Sequence, residues 1–341
     1  IDSLLIDRSG TGPPQFHPGE PPMPLIDMPI DELKNYSGRN PRPDDFDDYW
    51  ASALAELDVT DPDITLAPAN IYAKSAECFH LTFTGVGGAR VYAKYLRPIG
   101  LTAPGPAILM FHGYTANSGD WSDKLAYVSQ GYTVLAMDCR GQGGQSTDPG
   151  GVTGNTLSGH IIRGLADAPE RLYYRNVYLD TVQLARLAGQ LPNVDANRIG
   201  ALGGSQGGAL TIACAALHPA IRKAAPTYPF LCDFQRVWEM DLAKGAYEEL
   251  ATFFRRFDPR HEHTTKWFER LGYIDCQHLA SRIKADVLMP IGLMDAICPP
   301  STQMAAYNKI RSQKELVIYP DFGHEHLPQA NDIVFNFMAD L

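Results

Sequence analysis

The chain has 341 residues, 45% hydrophobic and 20% charged, with 29 Lys and Arg against 39 Asp and Glu for a net charge of −10. That balance suits an ordinary globular chain with material for a large core. It carries no basic stripe, which argues against nucleic acid and against an anionic membrane surface as partners.

No apolar run approaches the roughly 18 residues that a spanning helix needs, and residues 1–7 lack the basic and apolar regions of a secretory signal. The six cysteines stand singly at 78, 139, 214, 232, 276 and 298, with no C-x-x-C pair. Cys139 and Cys214 fall in or beside apolar runs and read as core residues. The expectation is a reduced, cytoplasmic protein.

Residues 1–22 are rich in Gly and Pro and aperiodic, so they read as a flexible, dispensable leader, of vector origin or otherwise. Asn40-Pro41-Arg42-Pro43-Asp44-Asp45 has the proline and acids of a helix start. Phe46, Tyr49, Trp50 and Leu54 then form an amphipathic stripe. A β-hairpin follows, with strands at 78–84 and 90–96 around Gly87-Gly88.

From there strands and helices alternate. Strands are expected at 106–111, 133–138, 198–202, 286–292 and 315–320, with helices near 170–191 and 208–217. Apolar strands separated by helices imply an α/β fold, a mostly parallel sheet covered on both faces. Binding then belongs beyond the carboxyl ends of the strands. Residues 232–284 interrupt the alternation with aromatic, helical sequence and are expected to form a lid within a single domain of residues 23–341.

Gly203-Gly204-Ser205-Gln206-Gly207 joins a strand to an apolar helix. This G-x-S-x-G pattern is the nucleophile elbow, a turn so sharp that neighbouring positions cannot hold a side chain. The bare pattern is common by chance, so the base and its orienting acid must be found elsewhere. In the α/β-hydrolase layout the order is Ser, then Asp or Glu, then His. Asp295 follows the strand at 286–292 and His324 follows the last strand, both at the same sheet edge as Ser205. Asp321 competes for the acid role but shares a short loop with His324. His326 reads as a surface or capping residue. His112, in Phe111-His112-Gly113-Tyr114, is better placed to shape the oxyanion region. The expected oxyanion donors are the backbone N–H groups of Gln206 and Tyr114.

Arg140-Gly141-Gln142-Gly143-Gly144-Gln145-Ser146, the elbow with Gln206, and His324-Glu325 together resemble carbohydrate esterase family seven. Its members are acetyl xylan esterases that are also cephalosporin C deacetylases. Residues 35–41, 151–156 and 295–302 share the likeness, which runs from about residue 24 to the end. Membership implies an α/β-hydrolase fold with Ser205 as nucleophile, His324 as base and Asp295 as its partner. It also implies a doughnut-shaped homohexamer.

Tyr114, Phe230 and Ile297 are expected to line the substrate pocket. Arg140 and the neighbouring glutamines are expected to tie loops near the site, with an anion clamp at Arg140 as the alternative. The histidines lack metal-ligand spacing and no phosphate loop occurs, so neither metal nor cofactor is expected. The leading reading is a serine esterase acting on small acetylated carbohydrates. A serine peptidase of related fold and a non-catalytic hydrolase-like binding module are the alternatives.

Overall fold

The computed structural model describes residues 26–149 and 156–341, and nine strands among them form one sheet. The leader assigned to residues 1–22 and the string at 151–155 lie outside the described residues. The strands are β1 (Thr65–Pro68), β2 (Ala76–Thr84), β3 (Arg90–Pro98), β4 (Gly105–Phe111), β5 (Thr133–Met137), β6 (Val194–Gly204), β7 (Ile221–Thr227), β8 (Asp286–Gly292) and β9 (Lys314–Tyr319). Their spatial order is β1-β2-β3-β5-β4-β6-β7-β8-β9. The first three are antiparallel, and from β5 through β9 every pair is parallel.

The β2–β3 hairpin has the expected turn. Gly87 and Gly88 take φ of 71° and 82°, a left-handed conformation that a side chain would strain, and Cys78 faces Leu96 across the pair. Two strands escaped the sequence reading. β7 carries Arg222, Lys223 and Pro226, which break its apolar run, and β1 is a four-residue edge strand exposed throughout.

Helices cover both faces of the sheet: α1 (Ile30–Leu33), α2 (Phe46–Asp58), α3 (Leu125–Ser129), α4 (Tyr173–Gln190) and α5 (Gln206–Leu217) precede β7 or lead into it. Between β7 and β8 come α6 (Phe234–Glu239), α7 (Glu248–Phe257), α8 (Thr264–Gly272) and α9 (Cys276–Leu279); α10 (Pro300–Lys309) and α11 (Ala330–Met338) complete the set. The larger core cluster joins α2, α4, α5 and the inserted helices to one side of the sheet. A smaller one packs Tyr127, Val128, Val334 and Met338 on the other.

Helix α2 shows how the sequence dictates this. Phe46, Tyr49, Trp50, Ala53 and Leu57 recur at helical spacing and are all buried, while Asp47 and Asp48 stay exposed. Burying a side chain such as Phe46 contributes about 2–3 kcal/mol. Helix α5 is apolar on every side and, from Gln206 through Ala215, wholly buried, so it runs through the core directly behind the elbow.

Candidate active site

Ser205 stands between the end of β6 and the start of α5 with φ 57° and ψ −119°. For a residue with a Cβ this costs about 1–3 kcal/mol and persists only where the surroundings enforce it. The surroundings do so through hydrogen bonds: Ser205 N–H donates to the Thr227 carbonyl, and Phe230 N–H donates to the Ser205 carbonyl, each at 3.0 Å. A Cβ on Gly203 would stand 2.5 Å from the Phe111 carbonyl oxygen, and one on Gly207 only 2.1 Å from the same atom. Both glycines are therefore steric requirements of the turn.

The three side chains expected to act together do meet. Ser205 Oγ donates to His324 Nε2 at 3.0 Å, and His324 Nδ1 donates to Asp295 Oδ2 at 2.8 Å. Asp295 is fully buried. Its other oxygen, Oδ1, accepts the N–H groups of Ile297 and Cys298 at 2.9 and 2.8 Å, and Gln303 Nε2 reaches Oδ2 at 3.2 Å. This set of donors holds the carboxylate in place beside the imidazole. Asp321 and His326 are exposed and stand apart from the chain of bonds.

The Gln206 side chain reaches the Gly113 carbonyl at 3.4 Å, which brings the Gly113–Tyr114 turn next to the start of α5. Gln206 is the first residue of α5, so its N–H is one of the helix's unpaired amides and lies at the positive end of the helix. Neither it nor the Tyr114 N–H has an acceptor among the described residues.

The turn at Gly113-Tyr114 is held from below. His112 is buried, with Nδ1 on the Gly113 carbonyl at 2.7 Å, and burial pushes its pKa down, so the ring stays neutral. Gln142 Oε1 accepts Thr115 N–H at 2.9 Å, while its Nε2 donates to Gln206 Oε1 at 2.8 Å. Tyr174 donates to the same Gln206 oxygen at 2.8 Å.

Arg140 has no part in anion binding here. It is 1% exposed and grips Asp180, itself fully buried, through Nε at 2.7 Å and a second nitrogen at 2.5 Å. Its remaining nitrogen reaches the Val86 carbonyl. The glycines of this string permit close approach, since a Cβ on Gly143 would stand 2.2 Å from the Thr115 carbonyl oxygen.

The three residues assigned to the pocket fare differently. Tyr114 and Ile297 are half-buried beside the triad. Phe230 has no exposed surface: its ring packs behind Tyr114 at 5.6 Å and against Tyr247 at 4.4 Å, so it backs the site instead of lining it.

Tyr228, Gln303 and Glu249 went unnoticed in the sequence. Tyr228 tilts its ring against His324 at 4.7 Å. Gln303 lies in the Pro299–Gln303 stretch after Asp295, and Glu249 is the second residue of α7; no spacing rule marks either. Asp295, Cys298 and His324 place ligand atoms within 4.8 Å of one another. Both nitrogens of His324 are already engaged, and burial pushes the Cys298 thiol well above its ordinary pKa, which leaves a packed thiol beside the serine rather than a thiolate ligand.

A parallel sheet with helices on both faces, a serine on a strained strand–helix turn and a hydrogen-bonded Ser–His–Asp chain at the strand ends define an α/β-hydrolase. Residues 23–341 match the acetyl xylan esterase (AXE1) family, and the chain belongs to that family. It is a carboxylic ester hydrolase.

Acetyl esterase Axe7A of Xylanibacter ruminicola is 26% identical over 311 residues, which is 88% of this chain; the chain spans 66% of that relative's length. The crystal structure of acetyl xylan esterase 1 from Thermoanaerobacterium sp. JW/SL YS485 superposes with a TM-score of 0.89 at 54% identity, covering 92% of this chain and 99% of that one. Acetyl xylan esterase from Paenibacillus sp. R4 gives 0.86 at 36% identity over the same shares.

Proposed function

We propose that the protein is a serine esterase that removes acetyl groups from acetylated xylo-oligosaccharides and related small acetyl esters, cephalosporin C among them. The observation that carries this reading is the bonded chain Ser205–His324–Asp295 at the elbow of a family member. Ser205 Oγ attacks the acetyl carbonyl while His324 Nε2 takes its proton. Asp295 holds the imidazole in the required tautomer and stabilises its cation. The oxyanion forms between the N–H groups of Gln206 and Tyr114. As the tetrahedral species collapses, His324 returns the proton to the departing sugar oxygen, leaving acetyl on Ser205. Water then attacks with His324 again as base, and acetate leaves.

The cytoplasmic reading stays part of the proposal, supported by six cysteines that are all free and buried. Among the described residues no helix is long and apolar enough to cross a membrane.

The test sets p-nitrophenyl acetate and acetylated xylo-oligosaccharides beside a peptide amide panel, with fluorophosphonate labelling of the wild type and Ser205→Ala. Acetate release and labelling that both vanish in Ser205→Ala support the reading. Preferential peptide cleavage moves it to the peptidases, and absence of labelling to a binding module.

A further inference from the structure

Helix α7 begins with two acidic residues, Glu248 and Glu249. Glu248 is exposed, as an acid in a first helical turn ordinarily is. Glu249 is only 6% exposed. Its Oε1 meets the Tyr114 hydroxyl, and its Oε2 accepts Ile161 N–H at 2.7 Å. No Lys or Arg among the described residues forms an ion pair with it.

Its partners are donors. The Tyr114 oxygen accepts His160 N–H at 3.3 Å, so the hydroxyl proton points to Glu249. Both oxygens of Glu249 then accept, and these bonds favour its charged form while burial pushes its carboxyl pKa up. A buried carboxylate without a cation is costly, by several kcal/mol before its hydrogen bonds are counted. Filling space between α7 and the loop at 156–165 needs no such group.

What the carboxylate reaches explains its presence. Tyr114 is held at both ends. Its backbone forms the turn whose carbonyl is tied by His112. Its ring is wedged between Phe230 and His160, each at 5.6 Å. Phe230 N–H in turn bonds the Ser205 carbonyl. The hydroxyl ends on Glu249.

We propose that Glu249 is a positioning residue for the oxyanion donor: from helix α7 it anchors the Tyr114 side chain and so holds the Tyr114 N–H where the tetrahedral oxygen forms. The inference rests on the esterase reading above. A donor displaced by a fraction of an ångström loses the developing charge while leaving the bound ester almost unaffected. Glutamine is not an equivalent, because its single carbonyl oxygen can accept from Tyr114 or from Ile161 N–H, and its amide NH2 then faces the other donor.

The experiment compares wild type, Glu249→Gln and Tyr114→Phe on p-nitrophenyl acetate. It also measures inhibition by an alkylboronic acid, which forms a tetrahedral adduct on an active serine, and the melting temperature. Either substitution is expected to lower kcat about tenfold or more, with KM within about twofold. The boronic acid Ki should rise by the same factor as kcat falls. The double variant should be no worse than Glu249→Gln alone, because both remove one bond. A lower melting temperature with kcat and Ki unchanged overturns the proposal and leaves Glu249 a packing residue. A raised KM at constant kcat overturns it too. If Glu249→Gln does not fold, Tyr114→Phe, which deletes one oxygen from the same contact, decides on the same readouts. Wild type lacking any activity that Ser205→Ala abolishes refutes the esterase reading itself, whereas Ser205-dependent activity indifferent to both substitutions refutes only the role of Glu249.

Discussion

His112 Nε2 accepts the backbone N–H of Cys139 at 2.9 Å, and this bond sets the tautomer of a buried ring. Nδ1 must then carry the proton, which it gives to the Gly113 carbonyl. That carbonyl and the Tyr114 N–H belong to one planar peptide unit, so fixing the oxygen aims the N–H in the opposite direction. Cys139, two residues past the end of β5, thus helps orient a donor on the loop after β4.

His112→Ala removes this anchor and leaves the Cys139 amide without its acceptor. Stability should fall by about 1–3 kcal/mol. In the folded variant kcat should drop about tenfold with little change in KM. Urea melts and steady-state kinetics on p-nitrophenyl acetate check both. Full activity in a stable variant would show that the turn holds its geometry without the ring.

The elbow and the triad were legible because each rests on a local constraint. Gly203 and Gly207 answer to the same carbonyl of Phe111, so the glycine spacing is written in the chain. Asp295 and His324 each sit just past an apolar strand, and chain order did the rest. For Arg140 the sequence allowed a loop tie or an anion clamp, and the buried Asp180 it grips decides for the tie. Gln142 was legible only as a tie of unnamed partner, and Gln303 and Glu249 not at all. Their partners, Thr115, Asp295 and Tyr114, lie on other elements, and a polar residue gives no hint of which distant amide it will meet. Phe230 was misplaced for a related reason: an aromatic near the serine can line a pocket or support it, and only packing tells which.

Acid stability should be governed by buried histidines. His112, His160, His218 and His278 all have pKa values lowered chiefly by burial, His278 to about 3. The unfolded chain protonates histidine near pH 6.5. Below that pH it binds protons the folded chain refuses, so stability is lost as pH falls through about 6.5. Asp275 opposes this: burial, aided by Asp233, raises it to about 7, giving stability that is present at low pH and lost as pH rises toward 7. Burial raises Asp180 and Glu249 in the same direction as Asp275, so four lowered histidines stand against three raised carboxyls, and the expected outcome is a net fall in the urea midpoint from pH 7 to pH 5. His278→Asn, which keeps an amide near the Asn40 carbonyl now bonded by Nε2 at 3.1 Å, should show a shallower fall. An unaltered slope would remove His278 from the set.

We propose that the chain assembles as a homohexamer with its active sites facing an inner cavity. In support, the sheet edge at β1 leaves Leu66 48% exposed, with Ile64, Ile71 and Tyr72 exposed around it. Such an apolar edge invites pairing with another copy. Light scattering should give about six times the chain mass of 37.5 kDa, and Leu66→Asp should yield smaller particles. A stable wild-type monomer refutes the assembly, and so does rapid deacetylation of intact, high-mass xylan.

The acid of the triad is the sharpest test of the site. Asp321 is closer in sequence to His324, but Asp295 reaches it across the sheet, on the loop after β8. An orienting carboxylate must accept Nδ1–H while Nε2 faces the serine, so it has to approach from the far side of the ring. Asp295 does so at 2.8 Å, while Ser205 lies at 3.0 Å on the other nitrogen. Asp295→Asn presents an amide where a charged acceptor stood, and the imidazole loses both its tautomer and the partner of its cation. It should cut kcat by roughly 10³ to 10⁴. Ser205→Ala should lose at least as much, and the double variant should be little worse, because the three groups act as one unit. Asp321→Asn, on an exposed side chain, should cost about tenfold or less. A crippled Asp321→Asn beside a mild Asp295→Asn would mean that the Asp295–His324 bond is not the one that matters in the transition state.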